Sequence, residues 1–119
     1  MKSRKIREVM KEKPTWAEDK STRFWICGDF NKGNTWVGQF SGQSPWERHP
    51  DGDELIHVLK GKVEITVMTK RGKIRSIISA GSFFVVPKGH WHKQRAISPV
   101  TEFGATSGRT NHSFEETPK

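Results

Sequence analysis

Cysteine occurs once in this 119-residue chain, at Cys27, and tyrosine not at all. A lone cysteine excludes an internal disulfide and any cysteine-built zinc knuckle. By default it points to a reducing, cytoplasmic setting. The missing tyrosine excludes a phenolic acid, a tyrosine metal ligand and a Cys–Tyr crosslink. Apolar residues are scarce, at 32%, which is low for a globular domain. No run approaches the ~18–20 apolar residues that span a bilayer, so no membrane association is expected. Residues 1–13 are charged and lack the apolar stretch of a secretory signal. The chain also has no internal repeat, no phosphate-cradling glycine loop and no Gly-x-Ser-x-Gly elbow. Serine-nucleophile hydrolysis therefore has no support.

The length fits one domain. Five Trp and seven Phe offset the thin apolar fraction, because each aromatic can bury about 150–250 Å². A core this thin gains area by dimerising, so a homodimer is expected. The net charge is +8. Much of the excess sits in Lys2, Arg4, Lys5, Arg7, Lys11 and Lys13, and between Lys60 and Arg75. A basic field draws anions without specifying a partner. With no recognition motif for nucleic acid present, these charges read as solvated turns and a soluble tail.

Ile6, Val9 and Met10 are spaced as on a short helix, which Pro14 ends. From Arg23 the texture changes to short apolar runs divided by Gly, Asn, Asp and Pro. Strands are expected over 24–27, 35–40, 54–59, 63–69, 74–78, 83–86, 91–96 and 101–105. Roughly eight or nine strands with regular turn signals indicate an all-β sandwich or barrel. The chain divides into a basic segment (1–22), a β-barrel domain (23–106) and a polar, frayed tail (107–119).

Histidines carry the chemistry. His49 has Glu47 two residues before it and Glu54 five after, and His92 follows a Pro-x-Gly turn far downstream. Imidazole and carboxylate are the usual ligands of divalent transition metals. Residues two apart on a strand share a side, so Glu47 and His49 can face one cavity. Glu54 and His92 can enter it from neighbouring strands. His57, three after Glu54, is the candidate acid/base. His90 and His112 read as surface residues. Trp46 and Trp91 adjoin the candidate ligands, Arg48 and Arg95 can reach an anion at a pocket mouth, and Cys27 reads as a small buried apolar residue.

At two places the sequence resembles the cupin family. Gly81, Pro87, Gly89 and His92 stand at the spacing of the family's second motif, with Ala96 where an Asn is common. His49, Glu54 and Gly61 match the latter part of the first motif, and Glu47 stands where the family normally has its first His. The resemblance implies a double-stranded β-helix, a jelly-roll barrel with a short N-terminal helical or extended segment. It also implies a metal set carried by Glu47, His49, Glu54 and His92. Glu47 adds a second negative charge, which suits Mn or Fe. If Glu47 turns away, two His and one carboxylate remain, the composition of an open non-haem Fe(II) triad. The resemblance thus implies a small metal-binding cupin with Fe, Mn, Ni or Zn, a dioxygenase, isomerase or lyase acting on a small organic molecule. The alternative is a non-catalytic small-ligand-binding module that has lost the metal. Tyrosine-dependent epimerases and a Cys–Tyr-linked thiol dioxygenase of this fold are excluded.

Overall fold

Two strands of sixteen residues organise the molecule. The computed structural model describes residues 2–18 and 20–119. Its elements are α1 (Ile6–Val9), β1 (Thr15–Trp16), β2 (Thr22–Phe30), β3 (Gly33–Phe40), β4 (Trp46–Arg48), β5 (Glu54–Thr69), β6 (Gly72–Ser79), β7 (Phe83–Val86), β8 (His92–Ser107) and β9 (Asn111–Ser113). All pairings are antiparallel, and the sheet curls into a jelly-roll barrel.

The sequence predicts four strands where β5 and β8 stand. The structure instead runs each pair through as one strand. β5 and β8 pair from Glu54↔Thr106 to Val67↔His92, with register shifts between Val58 and Val63. At the bend, Gly61 has φ +85°, and a Cβ there would run into the Pro99 carbonyl oxygen. Glycine therefore lets the strand turn between the two layers without ending it. The first half of β5 takes β7 on its other edge, and the second half takes β6.

The main core is β-branched: Ile56, Val58, Val63, Ile65, Val67, Ile78, Val86 and Val100, with Trp36, Phe40 and Phe84 packed against it. Burying each such side chain contributes roughly 1.5–3 kcal/mol. A second cluster lies outside the barrel wall, where Val9 of α1 meets Trp25 and Val37. The Trp25 indole donates to the Glu12 carbonyl at 2.8 Å. A helix of four residues has no stability of its own; this packing holds it.

The chain beyond Ser107 is not frayed. β9 pairs with β4, Glu47 opposite His112, and the indoles of Trp46 and Trp91 donate to the carbonyls of Glu116 and Lys119. An edge strand presents unpaired backbone groups that seek a partner. The segment's side chains show no apolar alternation, so hydropathy patterning carries no sign of this strand. Among the described residues, no helix is long and apolar enough to cross a membrane.

Candidate metal centre

Three junctions between strands and loops converge at one end of the barrel. His49 directly follows β4, Glu54 opens β5 and His92 opens β8. Two bonds clasp these junctions together. The Asp53 carboxylate accepts from the Lys88 amide at 2.8 Å, and the His49 carbonyl accepts from Gly89 at 3.0 Å. Gly89 has φ +78°, the left-handed conformation that a turn residue of this kind supplies.

One ligand atom from each of His49, Glu54 and His92 lies within 4.8 Å of the others. The three residues are only 4%, 6% and 1% exposed. His92 Nε2 is hydrogen-bonded to Glu54 Oε1 at 3.1 Å. His49 Nε2 pairs with Glu54 Oε2 at 3.0 Å. The far side of each ring is held. His92 Nδ1–H donates to the His90 carbonyl at 3.3 Å, and His49 Nδ1 pairs with Thr110 Oγ1 at 3.0 Å. Thr106 Oγ1 donates to Glu54 Oε2 at 2.6 Å and accepts from the Trp36 indole at 2.8 Å. This is how metal-binding imidazoles are oriented: one nitrogen is anchored and the other is presented.

The electrostatics follow. Burial pushes the Glu54 carboxyl up, but hydrogen bonds and charge from His49 and His92 outweigh it and hold the group at about 2. For His49, burial pushes the imidazole down, while Glu54 and Glu47 more than reverse this and leave it raised.

His49 and Glu54 line a cavity of about 290 Å³ together with Glu47, Gln94 and Glu102. An apolar wall of Phe24, Ile26, Trp36 and Phe40 faces them. Glu47 lines this cavity outside the three-residue group, its carboxylate 3.4 Å from His112 Nε2. The structure does not bring His57 there. It lies an odd number of residues from Glu54 on one strand, so it shares the outer face with exposed Leu55 while Glu54, Ile56 and Val58 point in. Arg48 stacks over Trp91 at 4.5 Å, and Arg95 pairs with Glu64 at 3.4 Å; neither lines the cavity.

Thr106, Thr110, Glu102 and Gln94 are absent from the sequence-based set. Thr110 lies in the segment expected to be a frayed tail. Glu102 and Gln94 are buried on β8, and Gln94 Nε2 donates to both Glu102 oxygens, Oε1 at 3.1 Å. Burial, helped by the Glu54 charge, pushes Glu102 up to about 8. Strand parity is the available signal: Glu102 alternates in phase with buried Val100.

The cupin domain family matches residues 38–102. The uncharacterized protein YdbB of Bacillus subtilis (strain 168) is 35% identical over 57 residues, covering 48% of each chain. Germin-like protein 1-1 of Oryza sativa subsp. japonica is 34% identical over 67 residues, covering 54% of this chain and 31% of the relative. The chain thus matches about half the length of the first relative and a third of the second. Among solved structures, the fold is similar to Bacillus subtilis oxalate decarboxylase with its Mn(II) centers. The TM-score is 0.73 at 15% identity, over 87% of this chain and 30% of that one.

Proposed function

Because the chain belongs to the cupin family, we propose that it is a small metal-dependent enzyme of dioxygenase, isomerase or lyase type. In this reading His49, Glu54 and His92 hold one divalent ion (Fe, Mn, Ni or Zn), and a small organic substrate enters the barrel interior. The observation that carries the reading is the convergence of one ligand atom from each of buried His49, Glu54 and His92, all within 4.8 Å of one another. The Mn(II) centers of the similarly folded decarboxylase support the choice of a divalent ion. A bound ion supplies Lewis-acid polarisation or O₂ activation. The chain itself orients both imidazoles through Thr110 and the His90 carbonyl, and the apolar wall offers the substrate a surface to pack on. A homodimer belongs to the same proposal, supported by Leu55, Phe83 and Val85, which lie exposed on the outside of β5 and β7.

Glu47 favours the second reading, a non-catalytic ligand-binding module. It stands where the family's first His is expected, and its partner is His112. Metal content separates the two. Two imidazoles and a carboxylate make a competent transition-metal donor set, so protein purified without chelator is expected to carry about one ion per chain. Re-metallation of stripped protein should release at least one proton per ion, because Glu54 faces a ring nitrogen of each histidine in the free state. Calorimetry in two buffers of different ionisation enthalpy reads this directly. No uptake on reconstitution would move the protein to the binding-module reading. Thr110→Val should weaken the ion by roughly 10–100-fold, the usual effect of losing an orienting partner, with an unchanged circular dichroism spectrum. Unaltered affinity would show that Thr110 does not set the ring.

A further inference from the structure

The outer face of β5, β6 and β8 gathers cations that the chain keeps apart. On the second half of β5, Lys62, Glu64, Thr66 and Met68 alternate with buried Val63, Ile65 and Val67 and so point outward. Register sets Ile77, Arg75 and Lys73 of β6 beside Glu64, Thr66 and Met68. On the other edge it sets Arg95 and Lys93 of β8 beside Glu64 and Thr66. The result is two ranks of charge, Lys73 and Arg75 on β6 and Lys93 and Arg95 on β8, with Lys62 at one end. Cations within a rank are two residues apart, about 7 Å, and two strand spacings, about 10 Å, separate the ranks.

These cations are poorly neutralised. Glu64 is paired with Arg95 at 3.4 Å, and both side chains reach solvent, so a pair of this kind contributes little. Among the described residues, no carboxylate pairs with Lys62, Lys73, Arg75 or Lys93. Glu115 and Glu116 flank one end of the face, but there Lys73 reaches only the Glu116 carbonyl, at 3.5 Å. The ammoniums of Lys73 and Lys93 both stand over the Trp46 ring, 5.6 and 4.8 Å from its centre. Like charges held this close repel, and a bound anion relieves the repulsion. The apolar patch of Leu55, Phe83 and Val85 belongs to β7 and the first half of β5, so the proposed dimer leaves this face open.

We propose that the outer face of β5, β6 and β8 binds the phosphate backbones of duplex nucleic acid, one rank of cations to each backbone, without reading base sequence. The ranks stand about 10 Å apart, between the minor and major groove widths of about 6 and 12 Å, a mismatch that long side chains absorb. Phosphate contacts of this kind position a protein on a duplex and carry no sequence information. Single strands are held by bases stacked on aromatic faces, and this surface offers none. Trp46 is 3% exposed beneath its two lysines, and Arg48 covers Trp91. Membrane adsorption draws on buried apolar area as well as charge, and here only Ile77 and Ile97 are large exposed apolar side chains.

Fluorescence anisotropy of a labelled DNA duplex titrated with the full-length chain tests this. Affinity is expected to fall roughly 100–1000-fold between about 50 and 200 mM salt, as for four or five phosphate contacts. The matching single strand should bind more weakly than the duplex. Lys73→Gln combined with Arg75→Gln removes one rank, and should weaken binding at least tenfold and lower the salt slope by about 2. Lys2→Gln combined with Lys5→Gln takes the same charge from the exposed N-terminal segment, whose helix packs on Trp25 and Val37 away from this face. That pair should change affinity by less than about threefold, since neither lysine meets a phosphate. Equal losses in the two double variants would make net charge, not this face, the cause and would overturn the proposal. So would a duplex left unbound at the lower salt, or a single strand bound more tightly than the duplex. Tighter binding to vesicles of phosphatidylserine and phosphatidylcholine would overturn it in favour of a membrane surface.

Discussion

Replacing His92 with alanine should reduce metal occupancy from about one ion per chain to about a tenth or less, with the barrel still folded. Losing a partner that merely orients a ligand costs 10–100-fold in affinity, and deleting a ligand costs more. What remains is His49 and Glu54, which leave most of the coordination sphere to water. The substitution empties a fully buried site, at a cost of roughly 2–4 kcal/mol. Glu54 keeps His49 and Thr106 as neighbours, so the carboxylate is not stranded. Glu47→Ala is the contrasting variant. Its carboxylate pairs with His112 outside the three-residue group, so affinity should fall by less than about tenfold, less than the loss of an orienting partner, and occupancy should stay near one ion per chain. Elemental analysis of both variants, with circular dichroism as the folding control, decides the matter. Equal losses would make Glu47 a fourth ligand, and full occupancy in His92→Ala would sink the assignment.

The second large effect is a stability that falls as pH rises. In the unfolded chain Glu102 loses its proton near 4.5, whereas in the folded protein burial and the Glu54 charge keep it until about 8. Between those values the folded state holds more protons than the unfolded one, so stability declines across the window. Each pH unit of that window removes about 1.36 kcal/mol, for a total on the order of 4–5 kcal/mol. Glu102→Gln removes the titration while keeping the shape and a polar link to Gln94. Metal-stripped variant and wild type should be similar in stability near pH 5. By pH 8.5 the variant should be the more stable, by several degrees in Tm. His49, whose pKa is raised, stabilises below its unfolded value of 6.5 and loses that contribution as pH rises through its folded value. It therefore adds to the decline in both proteins, and the difference between them isolates Glu102. Glu54 acts in another range. Its contribution is complete above 4.5 and is lost as pH falls toward about 2. Parallel stability curves for the two proteins would show that Glu102 ionises freely in the fold.

Most of the barrel is legible in the residues because turn chemistry is local. The Gly61, Gly72, Gly81 and Gly89 positions all adopt positive φ, and each stands where the sequence predicts a turn or a break. The joining of neighbouring segments into β5 and β8 is not legible. At Gly61 a bend within one strand and a turn between two strands have the same local composition. Of the predicted site residues, the structure gathers His49, Glu54 and His92, whose spacing follows junctions between strands and loops. His57 illustrates a check that the sequence itself offers: an odd offset from Glu54 along a strand sends it outward. Glu102 shows the opposite case, a carboxylate whose inward phase is readable but whose partner Gln94 is known only once β8 is whole. Thr110 depends on a segment that binds through backbone, which no side-chain pattern records.

The β4–β9 pairing has a consequence for how the site responds to proteolysis. The two apolar clusters draw all their buried residues from positions before Ser107, and β5 pairs with no strand beyond β8. A cut in the 107–110 connection therefore spares the packing that keeps the barrel folded. It does release Thr110 from His49 and His112 from Glu47. Clipping there would leave a folded chain with a slack site, a change that a heat-stability assay would miss.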